Sequence, residues 1–304
     1  MVNGVDVLRY TAFSDDPAGG NPAGIVLDAG GLDDAAMLAI AHEVGYSETA
    51  FLWPKPGRGQ YVLRYFSPVA EVPFCGHATI ASAVALADHS AGSELHFETP
   101  AGEVAVQVRT DANGPAVATL TSVIPAVGDP SDGVVAESLA ALRWTEADID
   151  PQLPPRVAFA GAHHLVFGVR SRQLLAALAY DFDSLRDVML REGWTTIQLV
   201  WRESAEVFHS RVPFPVGGVV EDPATGAAAA ALGAYLRELG LVQPPVTVTI
   251  HQGDDMGRPS LLHVGVDPGR GGIRVSGTAV QIPAELPKAG EDCLGDAGSA
   301  GASS

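Results

Sequence analysis

Two stretches of this chain read as helices without a polar side: His77–Ala87, almost wholly Ala, Val, Ile and Leu, and Ala227–Leu239, ended by Gly240. A helix that is apolar all round has to be covered on every face. Each is entered through a glycine-bearing turn, Pro73-Phe74-Cys75-Gly76-His77-Ala78-Thr79 in the first case and Glu221-Asp222-Pro223-Ala224-Thr225-Gly226-Ala227 in the second. The turns lie about 147 residues apart, and both halves run in one order: strands, turn, buried helix, hairpin. That repeat predicts an α+β fold of two similar lobes, each a barrel-like sheet wrapped around a central apolar helix, with a cleft between them. The expected lobes are residues 1–120 and 121–287, with a linker inside Ser122–Pro155. Residues 288–304, rich in Gly, Ala, Ser and Asp, are expected to be a disordered tail.

Periodicity fills in the lobes. In the first half, strands are predicted over Val5–Phe13, Ile25–Leu27, Thr49–Trp53, Tyr61–Phe66, Glu94–Glu98 and Val104–Val108. A helix starts at the N-cap Asp33, gathers Met37, Ile40, Ala41 and Val44 on one face, and stops at Gly45. In the second half, Val157–Phe159, Leu165–Val169, Thr196–Trp201 and Val207–Val212 read as extended, Phe182–Arg191 as helical, and Val246–His251 with Leu261–Val266 as a hairpin.

Composition removes several function classes. The chain carries 18 basic and 36 acidic side chains among 304 residues, a formal charge of −18. Nucleic-acid binding needs clustered Lys and Arg to displace counterions, so no nucleic-acid partner is expected. No apolar run reaches the ~18–20 residues of a membrane span, and no signal core opens the sequence. The expectation is a cytoplasmic protein with no membrane partner. Cys75 and Cys293 alone make neither a disulfide framework nor a zinc site. His163 and His164 are adjacent and point to opposite faces of a strand, so they do not clamp one metal. Nucleotide-binding and nucleophile-elbow motifs are absent. No metal and no cofactor are expected.

The chemistry is expected at the two helix mouths. Free N–H groups and the positive end of the helix dipole favour an anion there, and Gly76 and Gly226 allow a ligand close to the backbone. A small carboxylate-bearing substrate gripped from both sides fits that arrangement. Glu48 opens an apolar strand, so its carboxylate is either paired or partly desolvated, and desolvation favours the protonated form needed for proton transfer near neutrality. His77 and Asp222 are candidate partners. Cys75, at a helix start, is a candidate thiol acid/base, but the corresponding place in the second repeat holds Asp222, which disfavours a two-thiol racemase.

Gly20-Asn21-Pro22-Ala23-Gly24, Ser47-Glu48-Thr49-Ala50-Phe51, Phe66-Ser67-Pro68 through Cys75-Gly76-His77-Ala78-Thr79, Glu221-Asp222-Pro223-Ala224-Thr225-Gly226, and Gln252-Gly253 with Gly257-Arg258-Pro259-Ser260 resemble the PhzF-like phenazine-biosynthesis isomerase family. The resemblance covers about residues 5–285 and implies a diaminopimelate epimerase-like fold with the site between the lobes. It further implies cofactor-free isomerisation of a cyclic dienoic amino acid by proton movement, and a homodimer. Glu48 matches the family's catalytic glutamate, His77 and Asp222 match positions beside the substrate, and Ser47, Gly76, Gly226 and Ala227 are the expected substrate contacts. Many members carry serine where this chain has Ala227, so a hydroxyl contact would be missing and the substrate altered. Two other readings stay open: a racemase or epimerase using Cys75 and Asp222, and a non-catalytic small-acid binding protein.

Overall fold

The computed structural model describes residues 2–89, 92–110 and 114–283. The expected tail and Cys293 lie outside the described residues. The first half comprises β1 (Leu8–Ala12), β2 (Asn21–Val26), α1 (Asp34–Val44), β3 (Glu48–Pro54), β4 (Gln60–Phe66), a short β5 (Glu71–Val72), α2 (Gly76–Asp88), β6 (Glu94–Thr99), β7 (Gly102–Arg109) and β8 (Val117–Thr121). The second comprises β9 (Ala126–Gly128), α3 (Val134–Leu142), β10 (Arg156–Phe159), β11 (His163–Gly168), α4 (Arg172–Ala176), α5 (Phe182–Glu192), β12 (Thr196–Arg202), β13 (Val207–Arg211), α6 (Gly226–Glu238), β14 (Val246–Gln252), β15 (Ser260–Val266) and β16 (Arg274–Gln281).

The strands run β1-β2-β3-β4-β6-β7-β8-β16-β15-β14-β13-β12-β11-β10-β9, and β16 also pairs with β1. That extra pairing, Tyr10 opposite Gln281 through Ala12 opposite Ala279, closes the first lobe into a barrel. The second lobe curls on from β16 without closing its far edge at β9. One strand therefore serves both lobes: β16 pairs with β8 on the first and with β15 on the second.

Each apolar helix fills a lobe. In α2 every residue from His77 to Leu86 is buried, and in α6 the same holds from Ala228 to Leu236. Small side chains permit this because the sheet approaches the helix closely. A Cβ added at Gly233 would lie 2.6 Å from Val264 Cγ1 and 2.8 Å from Ile273 Cγ2, so Gly233→Ala would force the helix and sheet apart. The amphipathic helices pack outside: α1 covers β3 and β4, while α3 and α5 cover the outer face of β11 and β12 through Leu139, Leu142, Leu185 and Met189 against Phe167 and Leu199.

The helix expected after Asp33 forms as read. Asp33 accepts from the Ala36 N–H, and Gly45 closes the helix at φ 72° with its N–H on the Ala41 carbonyl. Strands β8 and β16 and the short helix α4 were not expected, and two further segments differ from expectation. The turn expected over Gly19–Gly24 is strand from Asn21 onward, because this segment is paired on both sides, with β1 and with β3. The stretch expected as a linker contains β9 and α3; the N-cap of α3 is Gly133, which has no side chain to signal a start. Among the described residues, no helix is long and apolar enough to cross a membrane.

Candidate active site

The mouths of α2 and α6 meet. A Cβ placed on Gly76 would sit 3.6 Å from Gly226 Cα, and one placed on Gly226 would sit 3.8 Å from Gly76 Cα. Neither N-cap residue, Cys75 nor Thr225, makes a side-chain capping bond. Two sets of helix-terminal N–H groups, with the positive ends of two dipoles, thus converge in one place. The caps also correct the alignment of the repeats: the counterpart of Cys75 is Thr225, and Asp222 lies three residues earlier. No second thiol faces Cys75 by that correspondence either.

Glu48 reaches this place because β3 runs parallel to β2, with Glu48 opposite Ala23, directly after the left-handed stop at Gly45. Its side chain is 14% exposed, and Glu48 Oε2 lies 3.4 Å from His77 Nε2 and 3.5 Å from Cys75 Sγ. Ser47 Oγ is also 3.4 Å from His77 Nε2. The sulfur is 3.3 Å from His77 Nδ1. Three residues from two segments, Glu48, Cys75 and His77, thus form one cluster, with their polar atoms all within 4.8 Å of one another.

Asp222 arrives from the other lobe. Its turn is pinned by Glu221, which accepts two bonds from Arg211 Nε, by the Asp222 N–H on the Val212 carbonyl, and by Gln252 Nε2 on the Asp222 carbonyl. The carboxylate accepts from Asn21 Nδ2 at 2.7 Å and from Thr225 Oγ1 at 2.5 Å. Asn21 Nδ2 also bonds the Ala224 carbonyl at 3.0 Å and lies 3.2 Å from His77 Nδ1. The amide nitrogen must face these groups, since an amide oxygen there would meet a carboxylate and a carbonyl. Asn21 therefore ties the Asp222 turn of one lobe to His77 of the other.

Burial governs the charges. It pushes the Asp222 carboxyl up to about 7; the Glu48 charge adds to this, while the Thr225 and Asn21 bonds oppose it. It pushes the His77 imidazole down, against the attraction of Glu48 and a bond with the Pro22 carbonyl. It pushes the Cys75 thiol well up, helped by Glu48. A neutral imidazole and a protonated Asp222 are thus favoured just below neutrality.

A family model for phenazine biosynthesis-like proteins matches residues 10–284, nearly the whole described chain. The chain belongs to the phenazine biosynthesis-like (PhzF) family. The trans-2,3-dihydro-3-hydroxyanthranilate isomerase of Pseudomonas fluorescens is 33% identical over 253 residues, 83% of this chain and 86% of that one. A Bacillus anthracis PhzF-family crystal structure superposes with a TM-score of 0.82 at 26% identity, covering 92% of this chain and 97% of the other. A crystal structure described as a probable proline racemase from Agrobacterium radiobacter shares the fold, with a TM-score of 0.66 at 13% identity over 95% and 94% of the two chains. This PhzF-family chain is an isomerase with the diaminopimelate epimerase-like fold.

Of the residues singled out from the sequence, Ser47, Glu48, Cys75, Gly76, His77, Asp222, Gly226 and Ala227 all gather where the two helix mouths meet in this PhzF-family fold, Ala227 as the second residue of α6. Asn21 and Gln252 join them without having been picked as site residues. Asn21 reads as turn chemistry, and Gln252 as the first residue of a hairpin connection, although the structure makes it the last residue of β14. The one available signal was that each falls in a motif beside glycine.

Proposed function

We propose that this isomerase moves a proton between two carbons of a small carboxylate-bearing substrate, with Glu48 as the single acid and base and without a cofactor. The observation that carries the reading is the placement of a largely buried Glu48 carboxylate, beside His77, where two uncapped helix N-termini meet. The substrate carboxylate takes the N–H groups at Gly76 and at Gly226–Ala227. Asp222, protonated up to about pH 7, lets that anion approach without a second full negative charge beside Glu48. In the first step Glu48 removes a proton from one carbon, and in the second the same carboxyl group returns it to another. His77 holds the Glu48 oxygen in line, and Ser47 steadies the imidazole.

The compound in the name of the P. fluorescens relative, trans-2,3-dihydro-3-hydroxyanthranilate, is the first substrate to test, followed by other small cyclic amino acids. The measurement is exchange of substrate protons with deuterated solvent, read by NMR. The intact protein should exchange the substrate proton, and Glu48→Gln should lose the exchange. Persistence of exchange in Glu48→Gln would exclude the assigned role.

A further inference from the structure

Arg258 is the one cation among residues 252–260, which run from the end of β14 to the start of β15, and it crosses to the first lobe. Its Nε donates to the Gly20 carbonyl at 2.8 Å and its Nη2 to the Gly19 carbonyl at 2.6 Å. The Gly19 carbonyl also accepts from Thr11 Oγ1 at 2.6 Å, so both of its lone pairs are taken. The contact is returned: the Gly20 N–H donates to the Pro259 carbonyl at 3.0 Å, and the Leu261 N–H to the Phe13 carbonyl at 2.7 Å. At the other end of the same connection, Gln252 Nε2 donates to the Asp222 carbonyl at 2.8 Å. One loop therefore holds both the Asp222 turn and the backbone immediately before Asn21.

We propose that Arg258 is a positioning residue for the proton-transfer site, fixing the Gly19–Gly20 backbone and thereby the reach of Asn21 to Asp222 and His77. The Gly20 carbonyl and the Asn21 nitrogen belong to one planar peptide, so turning that carbonyl swings the Asn21 side chain. Asn21 Nδ2 lies 2.7 Å from Asp222 Oδ1, 3.0 Å from the Ala224 carbonyl and 3.2 Å from His77 Nδ1. A swing of the amide weakens all three contacts together, because each depends on distance and alignment. Two donors held in one plane define the direction as well as the distance of two consecutive carbonyls, which the single ammonium of a lysine does not. The guanidinium is half-buried and, among the described residues, has no carboxylate partner, although the chain carries 36 acidic side chains against 18 basic. Its donors go to backbone at the one place where the second lobe meets the start of β2.

The effect on turnover rests on the function proposed above, whereas the coupling of Arg258 to Asn21 does not, so the coupling is read first and without substrate. The chain has three asparagines, Asn3, Asn21 and Asn113. Labelling asparagine with 15N in the full chain therefore gives three side-chain amide pairs by NMR, and Asn21→Ala identifies the Asn21 pair by its loss. Arg258→Lys keeps the charge and loses the fork. It should move the Asn21 pair toward the position of a solvated amide and speed its hydrogen exchange about tenfold. Arg258→Ala should move the pair further, and millimolar methylguanidinium should bring it part of the way back, which a general loss of packing would not allow. An Asn21 pair that stays in place in both variants would overturn the proposal. In exchange of the substrate proton with solvent, Arg258→Lys should lower kcat/KM about tenfold. In an Asn21→Ala background the same substitution should cost no more than about twofold, because Arg258 acts through Asn21. Losses that multiply would overturn that route. Movement of the Asn21 pair in a chain that exchanges no substrate proton would support the positioning and count against the function alone.

Discussion

The two helix mouths have the same frame and different chemistry. At the mouth of α2, Cys75 and His77 flank the first helical residue and Glu48 touches both, so three proton-bearing groups stand within contact of one another. At the mouth of α6, the equivalent positions hold Thr225 and Ala227, and the acid, Asp222, stands back in the turn with each carboxylate oxygen taking a hydrogen bond. A group so tied is suited to holding position; a carboxyl group with loose contacts at 3.4–3.5 Å is suited to moving a proton. Duplication thus gives a symmetric grip on an anion, while the differing side chains assign proton transfer to one side. That favours a single-base isomerase over a racemase with matched bases on opposite faces.

The largest expected effect tests that division. Glu48→Gln should lower turnover on the order of a thousandfold, the scale of a lost general acid/base, with KM little changed. Asp222→Asn should cost less, on the order of ten- to a hundredfold in kcat/KM, because its role is to hold rather than transfer. Equal losses from the two variants would collapse the distinction between the mouths. Asp222→Asn also has a signature in stability. The folded chain releases the Asp222 proton at about 7, against 3.8 for the ordinary carboxyl, so between those values the folded state holds the extra proton. Stability from this group therefore falls as pH rises from about 4 to 7 and is flat above, a contribution on the order of a few kcal/mol. His77, pushed down, gives the opposite slope below its ordinary 6.5, so the difference between wild type and Asp222→Asn isolates the carboxyl. Denaturant midpoints across that range check it; an unchanged slope in the variant would show the carboxyl ionised throughout.

A smaller effect is expected at Gly76. A methyl group there meets Gly226 Cα at 3.6 Å, an ordinary contact, so Gly76→Ala should fold with a melting temperature close to wild type. The same methyl occupies the gap between the two sets of N–H groups, so KM should rise about tenfold, near 1.4 kcal/mol, with kcat less affected. A large loss of stability with unchanged KM would make this glycine a packing device and remove the anion grip from the comparison.

The glycine turns, the two buried helices and Glu48 were legible because each is a local signal: a breaker beside an apolar run, or a charge beside one. What joins them was not. Asn21 and Asp222 are 201 residues apart, and nothing in Gly20-Asn21-Pro22 separates an asparagine that shapes a turn from one that fastens two lobes. Cys75 was visible as a helix-start thiol, but its contact with Glu48 depends on the β2–β3 register and the path of β5, both tertiary. The barrel was half legible: curved sheets around apolar helices follow from pattern, whereas β16 serving both lobes depends on a strand after the last recognised hairpin.

The smallest expected effect sharpens the comparison at the second mouth. Ala227 is the second residue of α6 and half-buried at the cleft, in the place where the resemblance puts a serine. Serine there would add a hydroxyl beside the free N–H groups at little cost to the helix, so stability should shift by no more than about 0.5 kcal/mol. If the substrate offers a polar group to that hydroxyl, one added hydrogen bond is worth about 1 kcal/mol, or roughly a fivefold gain in kcat/KM. If the chain's own substrate lacks such a group, the new hydroxyl goes unpaired once water is excluded, and kcat/KM falls by a similar factor. The direction of the change for each small cyclic amino acid therefore reports which ligands place a polar group at the mouth of α6. A uniform response across all of them would mean that this mouth does not distinguish substrates.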